Sequence, residues 1–204
     1  MTQRDAATEK TRERILESAR QLLLAEDFSG FTMEAVARKA DVSRLTVYYQ
    51  FDSKAGLLEA LYNYLALRGG VHQLAEVFSK GNDALQTLRG FIEVFARFWT
   101  SDRDAIRRLH AMGAIDSEIG RGLRERNERR RKGLRVIVER YCLTYPPLSP
   151  LQQPVAIDTL HMLTSFETFD ALSVSGRREA DVFQTVLKLS YNALGFVPRF
   201  VRRN

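Results

Sequence analysis

A single cysteine, Cys142, stands in a chain of 204 residues. No intrachain disulfide can form, and a reducing compartment suits the chain. The ordinary reading of Cys142 is a small apolar residue; redox sensing is the alternative. The three histidines, His72, His110 and His161, are widely separated, and no His, Cys and carboxylate spacing suggests a metal site. No glycine-rich phosphate loop occurs. His161 and Ser165 share a helix face but lack an orienting partner and oxyanion donors, so the sequence does not support catalysis. No catalytic residue, cofactor or metal is expected. No apolar run approaches the roughly 20 residues of a membrane span. The polar start, Met-Thr-Gln-Arg-Asp, lacks the apolar core of a signal peptide. No membrane association is expected, and a cytoplasmic location follows by default. Strand-type alternation, internal repeats and low-complexity tracts are also missing.

What is present is helical periodicity. Hydrophobic residues make up 45% of the chain with 12 glycines and 5 prolines, as in a helix-rich globular protein. Helices are predicted from Thr8 or Thr11 to about Ala25, from Thr32 to Lys39, from Ser43 to Phe51, and from Asp52-Ser53 to Arg68, where Gly69-Gly70 breaks the pattern. Further helices are expected over 72–79, 83–100, 103–113, 117–144, 152–174 and 179–195. Pro146, Pro147 and Pro150 mark the longest interruption. Phe28 and Phe31 are expected to close a small core on Val36, Val47 and Phe51, and residues 200–204 to form a frayed tail.

Residues 30–54 are the most informative stretch. Thr32 is a good N-cap for a short helix with Glu34 in its first turn. Asp41 sits in the following turn, where a left-handed backbone is tolerated by Asp better than by most residues. Ser43 then caps a second helix. At about 100° per residue, Val47 and Phe51 face inward while Leu45 and Tyr49 lie opposite. Such a pair of helices can lay the second one in the DNA major groove. Arg44 can clamp guanine, Thr46 can hydrogen-bond a base or touch a thymine methyl, and Leu45 can do only the latter. The hydroxyls of Tyr48 and Tyr49, with Lys54, suit phosphate oxygens. The alternative is that Leu45 and Tyr49 pack beneath a neighbouring helix.

Charge does not decide between them. The net charge is +6, yet residues 1–70 hold ten basic and ten acidic side chains. The surplus is concentrated at Arg121, Arg124, Arg126, Arg129, Arg130, Arg131, Lys132, Arg135 and Arg140. Glu118, Glu125, Glu128 and Glu139 are interleaved, as on a solvated, ion-paired helix. Near the chain's end, Leu160, Leu163, Phe166 and Phe169 sit beside Val182, Val186, Leu189, Tyr191 and Leu194. Two such helices can form a four-helix homodimer interface, or bury those faces inside the monomer. A helix-turn-helix reader usually needs two half-sites, which favours the dimer.

The carrying residues of a family resemblance are Thr11-Arg12, Ile15-Leu16, Ala19, Gly30-Phe31-Thr32, Val36-Ala37, Val42-Ser43, Thr46-Val47-Tyr48, Phe51, Ser53-Lys54 and Leu57-Leu58. Over about residues 11–65 the chain resembles the N-terminal domain of TetR-family transcriptional regulators. The resemblance implies an all-α fold of about nine helices. Residues 1–55 would be a three-helix, helix-turn-helix DNA-binding domain, and residues 56–204 a helical effector-binding and dimerisation domain. It implies a homodimer on a palindromic DNA operator, acting as a repressor until a small effector binds; an activator or an adaptor without small-molecule control is the alternative. DNA-contacting roles carry over to Thr32, Ser43, Arg44, Thr46, Tyr48, Tyr49 and Lys54. Arg12 could reach a phosphate or be an ordinary surface arginine. A cavity among the middle helices is also implied, with Phe95, Phe98, Trp99, Leu109, His110, Met112, Met162, Phe166 and Phe169 as candidate lining. The stretches hold no acidic cluster, so an apolar or weakly acidic effector is expected. Two positions depart from the family's pattern: Asp41 replaces the usual glycine, and Leu45 a small residue.

Overall fold

The computed structural model describes residues 3–25, 30–81, 83–174 and 176–196. Phe28 and the tail beyond 196 lie outside them. Within them the chain is helical throughout, with eleven α-helices and one 3-10 turn and no strand. The all-α class holds, with two more helices than the nine expected.

The described residues form two compact units. The first holds the described residues up to 68 and those of 102–125, the second the described residues of 69–101 and from 126 on. The first unit contains α1 (Gln3–Ala25), α2 (Met33–Lys39), α3 (Arg44–Phe51), α4 (Lys54–Arg68) and α7 (Arg103–Ile115), with the first residues of α8 (Ser117–Thr144). This grouping differs from a division at residue 55, because α4 and α7 pack with α1. The inward residues are those the helical period selects: Ile15 and Ala19 on α1, Val36 on α2, Val47 and Phe51 on α3, Leu57 and Leu61 on α4, Ile106 on α7. Phe31 is buried with them. Removing side chains of this size from water contributes about 1.5–3 kcal/mol each.

A polar network ties α1 to α4 and to the start of α7. Arg20 Nη1 reaches Asp102 at 2.7 Å, and Arg68 Nη1 reaches Glu17 at 3.0 Å. Burial pushes the Glu17 carboxyl up, but hydrogen bonds from Arg20, Gln21 and Tyr64, with the charge of Arg20, hold it below its ordinary value.

The second unit contains the 3-10 turn Val71–Gln73, α5 (Leu74–Lys80), α6 (Ala84–Ser101), the rest of α8, α9 (Gln152–Leu163), α10 (Phe166–Ser173) and α11 (Glu179–Ala193). The single helix expected over 152–174 is two. Ser165 leaves the helical region (φ −75, ψ 159), and its hydroxyl accepts from the Thr168 amide to start α10. Breaking a helix orphans carbonyls, which need new donors. Trp99 Nε1 donates to the Thr164 carbonyl at 3.0 Å, and Arg130 Nη1 to the His161 carbonyl at 3.0 Å. Arg130, expected on a solvated helix, is therefore only 5% exposed. Its charge sits at the negative end of α9, which favours a cation.

Candidate nucleic-acid interface

The geometry of α3 follows from its caps. Thr32 Oγ1 accepts from Ala35 N at 3.1 Å and starts α2; Ser43 Oγ accepts from Thr46 N at 3.0 Å and starts α3. Between them Asp41 takes φ 51, the left-handed conformation that the turn requires. Val47 and Phe51 then fall in the core, while Leu45 is 78% and Tyr49 86% exposed. Leu45 and Tyr49 do not pack beneath a neighbouring helix within the chain.

Around this stripe the other candidates are placed differently. Thr32, Ser43 and Arg44 are exposed, and Thr46 and Tyr48 half-buried at the edge of the face. The Ser43 and Thr46 hydroxyls share a hydrogen bond of 2.8 Å. Arg44 is held rather than extended: Nη1 lies 2.5 Å from Glu34, Nη2 donates to Tyr48 Oη at 3.3 Å, and the guanidinium lies 5.2 Å from the Tyr48 ring centre. Lys54 is half-buried, its ammonium 5.5 Å from the centre of the Phe31 ring. Burial lowers its pKa, partly opposed by the charge of Asp116. Lys54 thus stands at the flank of the α3 face, with part of its cationic head already occupied.

Arg12 has two partners that neither expectation for it named. Nη1 donates to the Gln50 carbonyl at 3.1 Å, and the guanidinium lies 4.5 Å from the centre of the Phe51 ring. Arg12 therefore clamps the C-terminal end of α3. Neither this contact nor the Glu34 pair is visible in the linear spacing, since Arg12 and Gln50 are 38 residues apart.

Of the candidate effector residues, the second unit brings four together. Phe95 and Trp99 are 5.7 Å apart between ring centres, Phe98 and Trp99 4.4 Å, and Trp99 and Phe166 5.7 Å. Met162 does not join them. It lies on the outer face of α9 and is 59% exposed, because the helix buries Leu160 and Leu163 instead. His110 is on α7, in the first unit.

Most of the apolar residues proposed as a partner surface turn inward. Leu160, Leu163, Phe166, Phe169, Val182, Val186 and Leu194 are buried. The same two stretches leave Val155, Met162 and Leu189 exposed.

Comparison with known proteins gives this geometry a context. Residues 15–61 match the profile of bacterial regulatory proteins of the tetR family. The whole described fold is similar to the crystal structure of NalD from Pseudomonas aeruginosa: TM-score 0.70, 26% identity, 95% of this chain and 99% of that one covered. The chain thus resembles TetR-family regulators in its N-terminal segment and in its fold.

Members of the TetR family are transcriptional regulators, usually repressors, and not enzymes. NalD is described as the secondary repressor of the MexAB-OprM multidrug efflux pump. In sequence, the chain is 36% identical over 94 residues to the transcriptional regulator AlkX of Mycobacterium tuberculosis, covering 45% of this chain and 44% of that protein. It is 39% identical over 56 residues to SrpR of Pseudomonas putida, covering 28% and 26%. The matches thus span less than half the length of these relatives. A TetR-like regulator from Rhodococcus shares the fold at TM-score 0.69 with 18% identity, over 91% of this chain and 96% of that one. Among the described residues no helix is long and apolar enough to cross a membrane, and no group of three metal-ligating side chains forms.

Proposed function

We propose that this protein is a cytoplasmic repressor that binds a palindromic operator as a homodimer and leaves it when a small organic effector binds. The observation that carries the DNA-binding part is the α3 face: Leu45 and Tyr49 stand in water beside Thr46 and Arg44, on a helix whose other side is locked by Val47 and Phe51. Leu45, Thr46 and Arg44 would meet base edges, while Thr32, Ser43, Tyr48, Tyr49 and Lys54 would position the phosphate backbone. Residues 1–55 would serve DNA binding and residues 56–204 effector binding and dimerisation. TetR-family regulators bind DNA as dimers, and the exposed Val155, Met162 and Leu189 of the last helices are the apolar surface we assign to the partner copy.

The effector is proposed to be apolar or weakly acidic, since Phe95, Phe98, Trp99 and Phe166 form a buried aromatic cluster that would have to open to receive it. It would act by stabilising a dimer state whose two α3 helices no longer match successive major grooves. A coupling of about 1–3 kcal/mol would change operator affinity about 5- to 150-fold.

Selection of duplexes from a randomised library by the purified protein tests the reading. An inverted repeat should emerge, with half-site centres about 34–36 Å apart or a multiple of that spacing. Its affinity should fall steeply with salt while a fraction resists competitor DNA. Failure of any sequence to enrich, with binding absent at low salt, would remove the proposal.

A further inference from the structure

The contacts of Arg44 point to a second determinant of sequence discrimination. Both terminal nitrogens of its guanidinium are engaged, Nη1 by the Glu34 carboxylate of α2 at 2.5 Å and Nη2 by Tyr48 Oη at 3.3 Å. These nitrogens form one edge of the fork that grips guanine O6 and N7 in a bidentate contact. Turning that edge onto a base therefore competes with both partners, which Arg44 must leave or share. Neither residue is fixed by burial, since the side chains of Arg44 and Glu34 are 60% and 49% exposed. The pair can open at small cost, as exposed ion pairs do.

We propose that Glu34 is a specificity-determining residue that acts through Arg44, holding the guanidinium back until a guanine edge replaces the contacts it gives up. This inference rests on the DNA-binding role proposed above. A matched base pair returns two charge-assisted hydrogen bonds to Arg44. At a mismatched pair, which returns fewer, Arg44 stays on Glu34 and gives up nothing. Glu34 thereby lowers binding to right sites more than to wrong ones and softens discrimination at that base pair. Its carboxylate also disfavours a nearby phosphate, which lowers affinity for every sequence alike.

A double-mutant cycle separates these two effects. Glu34→Gln, Arg44→Ala and the double variant are titrated against the duplex recovered by selection and against its single-base variants, at low salt so that the weaker complexes remain measurable. Glu34→Gln should raise affinity generally and increase discrimination at one base pair by about 1.5- to 5-fold, the worth of an exposed ion pair. In the Arg44→Ala background the discrimination should no longer respond to Glu34→Gln, while any general gain persists. Equal effects on discrimination in both backgrounds would overturn the proposal, as would a Glu34→Gln protein with higher affinity but unchanged discrimination. Thermal unfolding of each variant reports folding separately. If the unmodified protein binds no duplex, the DNA-binding role fails as well; if it binds and the cycle is additive, only the role of Glu34 fails.

Discussion

Replacing Arg12 with Gln should weaken DNA binding without removing a DNA contact. The helix α3 ends at Phe51, and its last carbonyls must find donors. Tyr48 O accepts from Asp52 N and Phe51 O from Ser53 N, while Gln50 O accepts from Arg12. A net hydrogen bond contributes about 0.5–1.5 kcal/mol, and a cation over an aromatic face at a part-exposed site about 0.5–1 kcal/mol. The clamp is therefore worth about 1–2.5 kcal/mol, and loosening α3 by that amount lowers operator affinity by at most about 5- to 70-fold. Fluorescence anisotropy titrations of the selected duplex over a series of salt concentrations distinguish the mechanisms. A lost phosphate contact flattens the slope of log K against log salt by about 0.9. A lost clamp lowers affinity with the slope retained, and also lowers the unfolding midpoint. A flattened slope with an unchanged unfolding midpoint would refute the clamp and restore Arg12 as a phosphate ligand.

Substitutions at two further positions probe the scaffold. Burial, then the charge of Arg130, lowers the pKa of His161 below its ordinary 6.5. Neutral His161 therefore favours the fold fully above that value, and stability should decline as pH falls below it. Chemical denaturation of the parent and of His161→Gln, at pH about 7.5 and about 5.5, should show a smaller acid loss in the variant; equal losses would exclude His161 as the source. Asp41 holds a left-handed backbone, which costs an ordinary residue about 1–2 kcal/mol, against about 0.5–1 kcal/mol of chain entropy lost by glycine. Asp41→Gly should thus be neutral or stabilising by up to about 1 kcal/mol in urea unfolding, and Asp41→Ala destabilising. A clearly destabilised glycine variant would mean that the Asp41 side chain itself secures the turn.

Much of the first unit is legible in the sequence because its signals are local. Ser43 followed by apolar Val47 and Phe51 at one-turn spacing fixes both the start of α3 and its orientation, and a helical wheel then exposes Leu45 and Tyr49. Contacts across long sequence separations are not legible in this way. Arg12 with Gln50, Glu34 with Arg44, and Arg130 with the end of α9 each depend on how helices cross. Arg130 shows the limit best: among so many basic neighbours, nothing in its spacing marks it as the one turned inward. The break at Ser165 left a local trace, a Thr-Ser pair followed by an acidic first turn, but the apolar period continues through it and reads as one helix. For the last two helices, periodicity identified apolar faces without saying what covers them. Those faces went to the core, and only their outer residues remain for a partner.

Leu45→Asp tests, with least disturbance to the fold, whether the open side of α3 meets DNA. Leu45 is too exposed to support the core, and an acidic residue in the first turn of a helix is tolerated or favoured. The variant should keep its unfolding midpoint and lose affinity for the selected duplex by about 100-fold or more, since a carboxylate at that point faces phosphates and cannot touch a thymine methyl. A folded Leu45→Asp protein that binds the duplex as tightly as the parent would contradict the contact of α3 with DNA.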